Sequence, residues 1–178
     1  DLGGGFGISY KKNDKSIRLK NYAKLVENFK KKNNCKIIFE PGRALVGNAG
    51  ILVSKIQFIK SSQNKKFIIL DAGMNDFMRP ALYDAQHKIV PLKKMNKSIK
   101  GNIEFVGPIC ESSDKFLNQK NFSKVREGDY VALTHVGAYG MCLSSNYNSR
   151  PTIAEIMVSG SKDKVIKKRQ SLESLINN

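Results

Sequence analysis

Phe39-Glu40-Pro41-Gly42-Arg43 overlaps the apolar run Ile37-Ile38-Phe39, so an acid, a rigid turn and a cation stand where a buried strand is expected to stop. Pro41 pre-sets the turn, and Gly42 lets main-chain N–H groups come close to an anion. Glu40 and Arg43 carry opposite charges three residues apart. Such a set could cradle a ligand that has both a phosphate and a protonatable nitrogen. A strand closed by Pro-Gly is also how an ordinary connection looks, and these five residues do not separate the two readings.

Upstream, Asp1-Leu2-Gly3-Gly4-Gly5-Phe6-Gly7-Ile8 reads as a strand end followed by a permissive glycine loop able to expose successive N–H groups. It is not the dinucleotide fingerprint, because Ile8 stands where the last glycine belongs. Over 16–32 the residues Ile17, Leu19, Tyr22, Leu25, Val26 and Phe29 recur at helical spacing, which predicts a helix lying on a sheet with Ser16 placed to cap it. Cys35-Lys36-Ile37-Ile38-Phe39 is the next expected strand, with Cys35 a small core residue. Strand, glycine loop, helix, strand and turn make a βαβ unit of a parallel sheet or barrel. Beyond 47–50 alternation replaces the helical period. Strands are expected at 51–59, 66–71, 87–92, 102–106 and 130–136, a hairpin around 159–163 and a short helix at 171–176. The fold expected is therefore α/β over residues 1–48 followed by a mainly antiparallel β-barrel or sandwich domain over 49–178.

Composition narrows the function. The net charge is +16, which raises phosphate-backbone binding, but 25 of the 31 basic residues are lysine. They are scattered, as in Lys30-Lys31-Lys32, Lys65-Lys66 and Lys93-Lys94, with no aromatic interleaving for base stacking. A solvated surface, without a nucleic-acid partner, is the expectation. No apolar run is long enough to span a membrane. Cys35, Cys110 and Cys142 are odd in number and lack metal-type spacing, which points to a reducing compartment, the cytoplasm by default.

Three further stretches carry chemistry at strand ends or in connections: Asp71-Ala72-Gly73-Met74-Asn75-Asp76-Phe77-Met78-Arg79-Pro80-Ala81-Leu82-Tyr83, Gly107-Pro108-Ile109-Cys110-Glu111-Ser112-Ser113-Asp114, and Gly137-Ala138-Tyr139-Gly140-Met141-Cys142-Leu143-Ser144-Ser145-Asn146-Tyr147-Asn148-Ser149-Arg150-Pro151. If Pro80 begins a helical turn, Arg79 and Tyr83 lie on one face and can clamp a carboxylate; an exposed arginine beside a packed tyrosine fits equally well. Cys110-Glu111 pairs a proton donor with an acceptor for an amine, although a cysteine in such a turn is often merely buried. Tyr139 among small residues can offer its hydroxyl to a phosphate or serve as a core tyrosine. His87 and His135 stand at no catalytic or metal spacing and are assigned structural places.

In order and separation, these five stretches resemble the C-terminal half of the diaminopimelate decarboxylases, pyridoxal-phosphate enzymes with an alanine-racemase-like barrel, over residues 1 to about 175. The resemblance implies the end of a (β/α)8 barrel in residues 1–48 and a β domain that supplies part of the active site. It implies that Glu40 pairs with the pyridinium nitrogen, that Gly4, Gly5, Gly42, Arg43 and Tyr139 surround the cofactor phosphate, and that Pro41 is among the cofactor-binding residues. Arg43, Arg79 and Tyr83 would hold the substrate's non-reacting carboxylate, Glu111 its distal ammonium, and Tyr139 would border the substrate as well. Cys110 would deliver a proton after carbon dioxide leaves, with Cys110 and Glu111 reaching into the neighbouring subunit's site in a homodimer. The family's cofactor-bearing lysine and ring-stacking histidine lie upstream of Asp1, so these 178 residues alone are expected to be inactive. Two rivals stand beside this reading: a related decarboxylase of ornithine, arginine or carboxynorspermidine, and a non-catalytic homologue acting through the dimer surface.

Overall fold

The computed structural model describes residues 1–10, 17–93 and 96–177. Among the described residues there are four α-helices, α1 (Leu19–Asn33), α2 (Arg43–Val46), α3 (Arg79–Tyr83) and α4 (Leu172–Ile176), and eight strands. The strands are β1 (Ile51–Ser61), β2 (Lys65–Leu70), β3 (Ile89–Pro91), β4 (Ser98–Val106), β5 (Lys115–Ser123), β6 (Tyr130–Thr134), β7 (Glu155–Ser159) and β8 (Lys162–Lys167). Six of them form one mixed sheet in the order β3-β6-β1-β2-β4-β5, in which only the β2–β4 pair is parallel, and β7–β8 is a separate hairpin. The mainly antiparallel expectation for the second half therefore holds.

Strand β1 joins the two halves of the sheet. Its first residues, Ile51 to Lys55, pair with β6, and after the register shift between Ile56 and Phe58 it pairs with β2. The shift is a bulge, in which Glu127 Oε1 accepts the Ile59 N–H at 2.9 Å and bends the strand. Alternation then puts Leu52, Ser54 and Ile56 inside, where they meet Ile68 and Leu70 of β2, Ile103 and Phe105 of β4, Phe122 of β5 and Leu133 of β6. Phe105 and Phe122 meet edge to face at 4.9 Å. Between Ile103 and Phe105 in sequence, Glu104 is buried but held by Lys65 at 2.6 Å and Lys115 at 3.2 Å. Hydrogen bonding to Lys65 keeps its carboxyl below the ordinary range.

The sheet departs from the sequence pattern in three places. Strand β5 was not expected, because Asn118-Gln119-Lys120-Asn121 breaks the apolar alternation between Phe116 and Phe122, the two residues that bury. Strand β6 stops at Thr134 rather than 136, since His135 adopts a left-handed φ of 61° that no ladder continues. Strand β4 begins earlier than 102, with a bulge at Gly101 opposite Asn121 absorbing the irregular register.

Residues 1–48 differ more. The helix expected over 16–32 spans Leu19–Asn33, and the proposed cap Ser16 lies outside the described residues. The helix does not lie on a sheet: none of its residues is buried, and Tyr22 packs only edge-on against Phe6 and close to Phe39. The expected barrel strands are not present as strands. Residues 1–3 and 38–40 are extended segments joined by two main-chain bonds, Leu2 N to Ile38 O at 3.0 Å and Glu40 N to Gly3 O at 2.8 Å. Two bonds align the segments side by side, which is enough to fix the glycine loop against the Pro-Gly turn. The closing elements follow expectation, with Gly160 at φ 61° turning the hairpin and Ser171 Oγ capping α4 through the Ser174 N–H at 3.1 Å.

Phe105 fills the centre of the sheet's inner face and is fully buried. Phe105→Ala is expected to lower unfolding stability by about 3–5 kcal/mol, read from the denaturant midpoint. A loss below about 1 kcal/mol would show that the core lies elsewhere.

Candidate active site

The glycine loop and the Pro-Gly turn sit against each other because Gly4 has no side chain: a Cβ there would come within 2.6 Å of the Glu40 carbonyl oxygen. Gly3 and Gly5 flank it at φ 63° and 82°, conformations that L side chains resist. Pro41 closes the turn, and Gly42 accepts the first N–H groups of α2, from Leu45 at 3.1 Å and Val46 at 3.2 Å. Arg43 is thereby the first residue of α2. The loop that carries Tyr139 is clamped onto the next turn, Gly137 N to Gly47 O at 3.2 Å and Val136 N to Gly50 O at 3.0 Å. As a result the Tyr139 hydroxyl lies 3.5 Å from where a Gly42 Cβ would be, and the Arg43 guanidinium carbon sits 5.6 Å from the Tyr139 ring centre.

Arg79 also approaches this ring, its guanidinium carbon 5.8 Å from the centre. It opens α3, where Pro80 lacks the N–H that the first turn leaves unpaired anyway. Arg79 and Tyr83 do share one short helix as expected, but Arg79 is 5 % exposed and Tyr83 62 %. The exposed-arginine alternative is therefore wrong. Arg79 is a buried cation whose Nε has no hydrogen-bond partner among the described residues. Gly4, Glu40, Gly42, Arg43, Arg79 and Tyr139 thus converge, and Gly5, Pro41 and Tyr83 border them in the chain.

Cys110 and Glu111 form a second group. Both are exposed, and among the described residues no hydrogen bond, ion pair or ring contact ties them to the first group. Glu111 receives long bonds from Ser112 Oγ and Tyr147 Oη, each at 3.5 Å. Beneath them lies Asp114, whose buried carboxylate accepts the Met74 N–H at 2.7 Å and the Ile109 N–H at 2.8 Å. Burial raises its pKa, opposed by those two N–H groups. Arg150 anchors the other loop to the same turn, reaching Asn75 Oδ1 at 3.0 Å, the Asp71 carbonyl at 2.6 Å and Asp76 Oδ2 at 3.7 Å. Burial raises the Asp76 pKa as well, and the Gly73 N–H and Arg150 pull against it.

Residues 10–137 match the family described as pyridoxal-dependent decarboxylase, C-terminal sheet domain. The chain belongs to that family. It is 45% identical over 177 residues to the diaminopimelate decarboxylase of Zymomonas mobilis, covering 99% of this chain and 42% of that protein. Among solved structures it resembles the diaminopimelate decarboxylase of Helicobacter pylori complexed with L-lysine, with 42% identity and a TM-score of 0.89 over 98% of this chain and 43% of that one. The M. jannaschii enzyme in co-complex with L-lysine gives 38% and 0.90 over 98% of this chain and 41% of that one. The chain thus spans less than half the length of the relatives it matches. No helix among the described residues is long and apolar enough to cross a membrane.

For a domain of this decarboxylase family, several supporting residues went unassigned in the sequence although they fall inside the quoted motifs. Asp114, Asn75, Tyr147 and Arg150 were quoted without a role, and only their three-dimensional partners reveal one. The glycine at 107 was a signal: a Cβ there would collide with the Asp114 carboxylate. His87, assigned a structural place, is buried beside Arg79 and touches Phe77 and Tyr10 edge-on at 4.7 and 5.0 Å. A groove of about 760 Å³ is lined by Phe77, Ile153 and Met157 among others, and by none of the expected site residues.

Asp114→Ala removes the acceptor of two N–H groups and is expected to cost about 2–4 kcal/mol of stability by chemical denaturation; wild-type stability would show that the loops are held by other bonds. A second outcome concerns pH. Burial foremost, then the charges of Arg79, His135 and Arg43, lower the His87 pKa below the ordinary 6.5, while its bond to the Thr134 carbonyl works the other way. The unfolded chain therefore takes up this proton first, and stability is lost as pH falls below about 6.5. Between about pH 7.5 and about pH 5.5 the wild-type protein should lose more stability than His87→Gln, since all other titrations are shared; equal losses would count against it.

Proposed function

We propose that this chain is the C-terminal portion of a diaminopimelate decarboxylase, which converts meso-2,6-diaminopimelate to L-lysine and carbon dioxide, the last step of lysine synthesis. The observation that carries the reading is the convergence of Arg43, Arg79 and Tyr139 on one point beside the Gly4 and Gly42 turns. It gains weight from relatives at 43–45% identity named for that activity. In this reading residues 1–48 belong with the cofactor-binding barrel and 49–178 form the sheet domain. The cytoplasm is the compartment that fits the three free cysteines.

The residues fit pyridoxal phosphate. A glycine cradle that a Cβ at Gly4 would fill and two cations beside it suit the phosphate end, with Gly5, Pro41, Gly42 and the Tyr139 hydroxyl completing the surround. Glu40, exposed at the turn, can face the ring nitrogen and keep it protonated. When bound, the cofactor supplies the electron sink that makes loss of carbon dioxide from an α-amino acid feasible. Everything else falls to side chains. Arg79, with Arg43 and Tyr83, binds the carboxylate that does not react, and a buried guanidinium short of a partner is suited to that task. An amine-ended substrate such as ornithine would leave it unpaired, which favours diaminopimelate over the related decarboxylases.

Glu111 takes the distal ammonium, and the Cys110 Sγ gives its proton to the carbon that has lost carbon dioxide. Their separation from the first group within one chain is what a homodimer with shared sites requires, each subunit lending Cys110 and Glu111 to its neighbour.

The full-length gene product supplied with pyridoxal phosphate is expected to release lysine and carbon dioxide from diaminopimelate. Cys110→Ala should lower kcat by about 10²–10⁴ with little change in KM. Mixing the inactive Cys110→Ala and Arg79→Ala proteins should restore up to about a quarter of wild-type activity, because half the sites of a mixed dimer are intact. Turnover of ornithine or arginine with none of diaminopimelate would overturn the substrate assignment, and no recovery on mixing would overturn the shared site.

A further inference from the structure

Two buried side-chain nitrogens have no hydrogen-bond partner among the described residues, Nε of Arg79 and Nε2 of His87. The first is always a donor. The state of the second follows from the far side of its ring. His87 Nδ1 lies 3.0 Å from the Thr134 carbonyl oxygen, which can only accept, so Nδ1 carries the proton. Burial and the positive charges of Arg79, His135 and Arg43 keep the ring neutral, which leaves Nε2 a bare lone pair. Phe77 and Tyr10 hold the imidazole edge-on, and Phe77 stands two residues before Arg79 on the same turn into α3.

We propose that His87 is a positioning residue for Arg79: its Nε2 accepts the Arg79 Nε–H through one bridging water, and so fixes which edge of the guanidinium the substrate meets. With Nε engaged, the two terminal amino groups remain as the fork that a carboxylate can grip. A neutral acceptor suits this place. An aspartate or glutamate there would neutralise the guanidinium and compete with the substrate's carboxylate, whereas an imidazole lone pair orients it and leaves its charge available. The inference rests on the decarboxylase reading for what Arg79 binds, but the His87–Arg79 pairing itself does not.

The test uses the full-length gene product and two substitutions. His87→Leu keeps bulk and removes the acceptor; His87→Gln places an amide oxygen near the position of Nε2. His87→Leu is expected to raise KM for diaminopimelate about tenfold with kcat within about threefold, and His87→Gln to return KM to within about threefold of wild type. Equal KM values for the two variants, or a wild-type KM in His87→Leu, would overturn the proposal, since a merely structural histidine gives no such split. Nitrogen-15 spectra of the wild-type protein decide the matter without turnover. A protonated Nδ1 and an Arg79 Nε–H protected from exchange are expected. A protonated Nε2, or a freely exchanging Arg79 Nε–H, sinks the proposal even in an active enzyme. A wild-type protein inactive on diaminopimelate sinks the decarboxylase reading instead, and the spectra then still decide the pairing.

Discussion

The carboxylate of Asp114 sits inside the protein with an N–H from Met74 on one oxygen and an N–H from Ile109 on the other. A buried carboxylate is costly unless both oxygens are engaged, and here the partners are main-chain donors from two separate segments. Neither segment can therefore move without exposing the other's loss. Gly107 and Gly73 allow the close approach, since a Cβ on the first would strike the carboxylate and one on the second would meet Asn75 and Ile109. Arg150 adds a third segment to the same turn through Asn75 and Asp71. The loop bearing Cys110 and the loop bearing Tyr147 thus hang from one short stretch, which runs straight on through Phe77 into Arg79.

That arrangement gives a use to the three of the six arginines that fall within these motifs, Arg43, Arg79 and Arg150, in a chain so rich in lysine. Lysines at the surface are hydrated point charges on mobile stems, whereas Arg79 and Arg150 present planar donor sets that buried geometry can use. Arg150 has its acceptors and serves as an anchor. Arg79 differs: its guanidinium approaches Tyr139 and has no carboxylate partner among the described residues. A buried cation without an anion is destabilising to the fold. Strain of that kind is tolerated where a ligand supplies the missing charge.

Much of this could be read from the sequence, and the reason differs by element. Glycine and proline announced the two turns from spacing, whereas the grouping of Gly4, Gly42 and Arg43 at one site came from the resemblance and not from the turn residues themselves. The strands of the sheet were legible wherever one face is apolar, as in Ile51–Ser61, and illegible at Lys115–Ser123, where polar residues occupy both faces between Phe116 and Phe122. Helical periodicity found α1 but misjudged its surroundings, because a stripe such as Leu19, Leu25 and Phe29 says that a face is apolar and not what covers it. The support beneath the site was the least legible part. Asp114 and Met74 are forty residues apart, and no local pattern couples them.

A site divided in this way sets a condition on the domain that carries it. Arg79 approaches Tyr139 of its own chain, while Cys110 and Glu111 stand exposed on a loop with no hydrogen bond or ion pair to it among the described residues. In the proposed reading one rigid sheet can serve both directions only if the two loops share a foundation, because independent loops would let the proposed proton donor and carboxylate holder drift relative to one another. Displacement of reacting groups by a fraction of an ångström is enough to slow a reaction considerably. The Asp114 bridge and the Arg150 anchor meet this condition with buried, main-chain-directed bonds rather than with exposed ion pairs, which solvent and salt would loosen. The long bonds from Ser112 and Tyr147 to Glu111 are the contrast: they lie at the surface, where the acid proposed to receive a substrate's ammonium is free to turn.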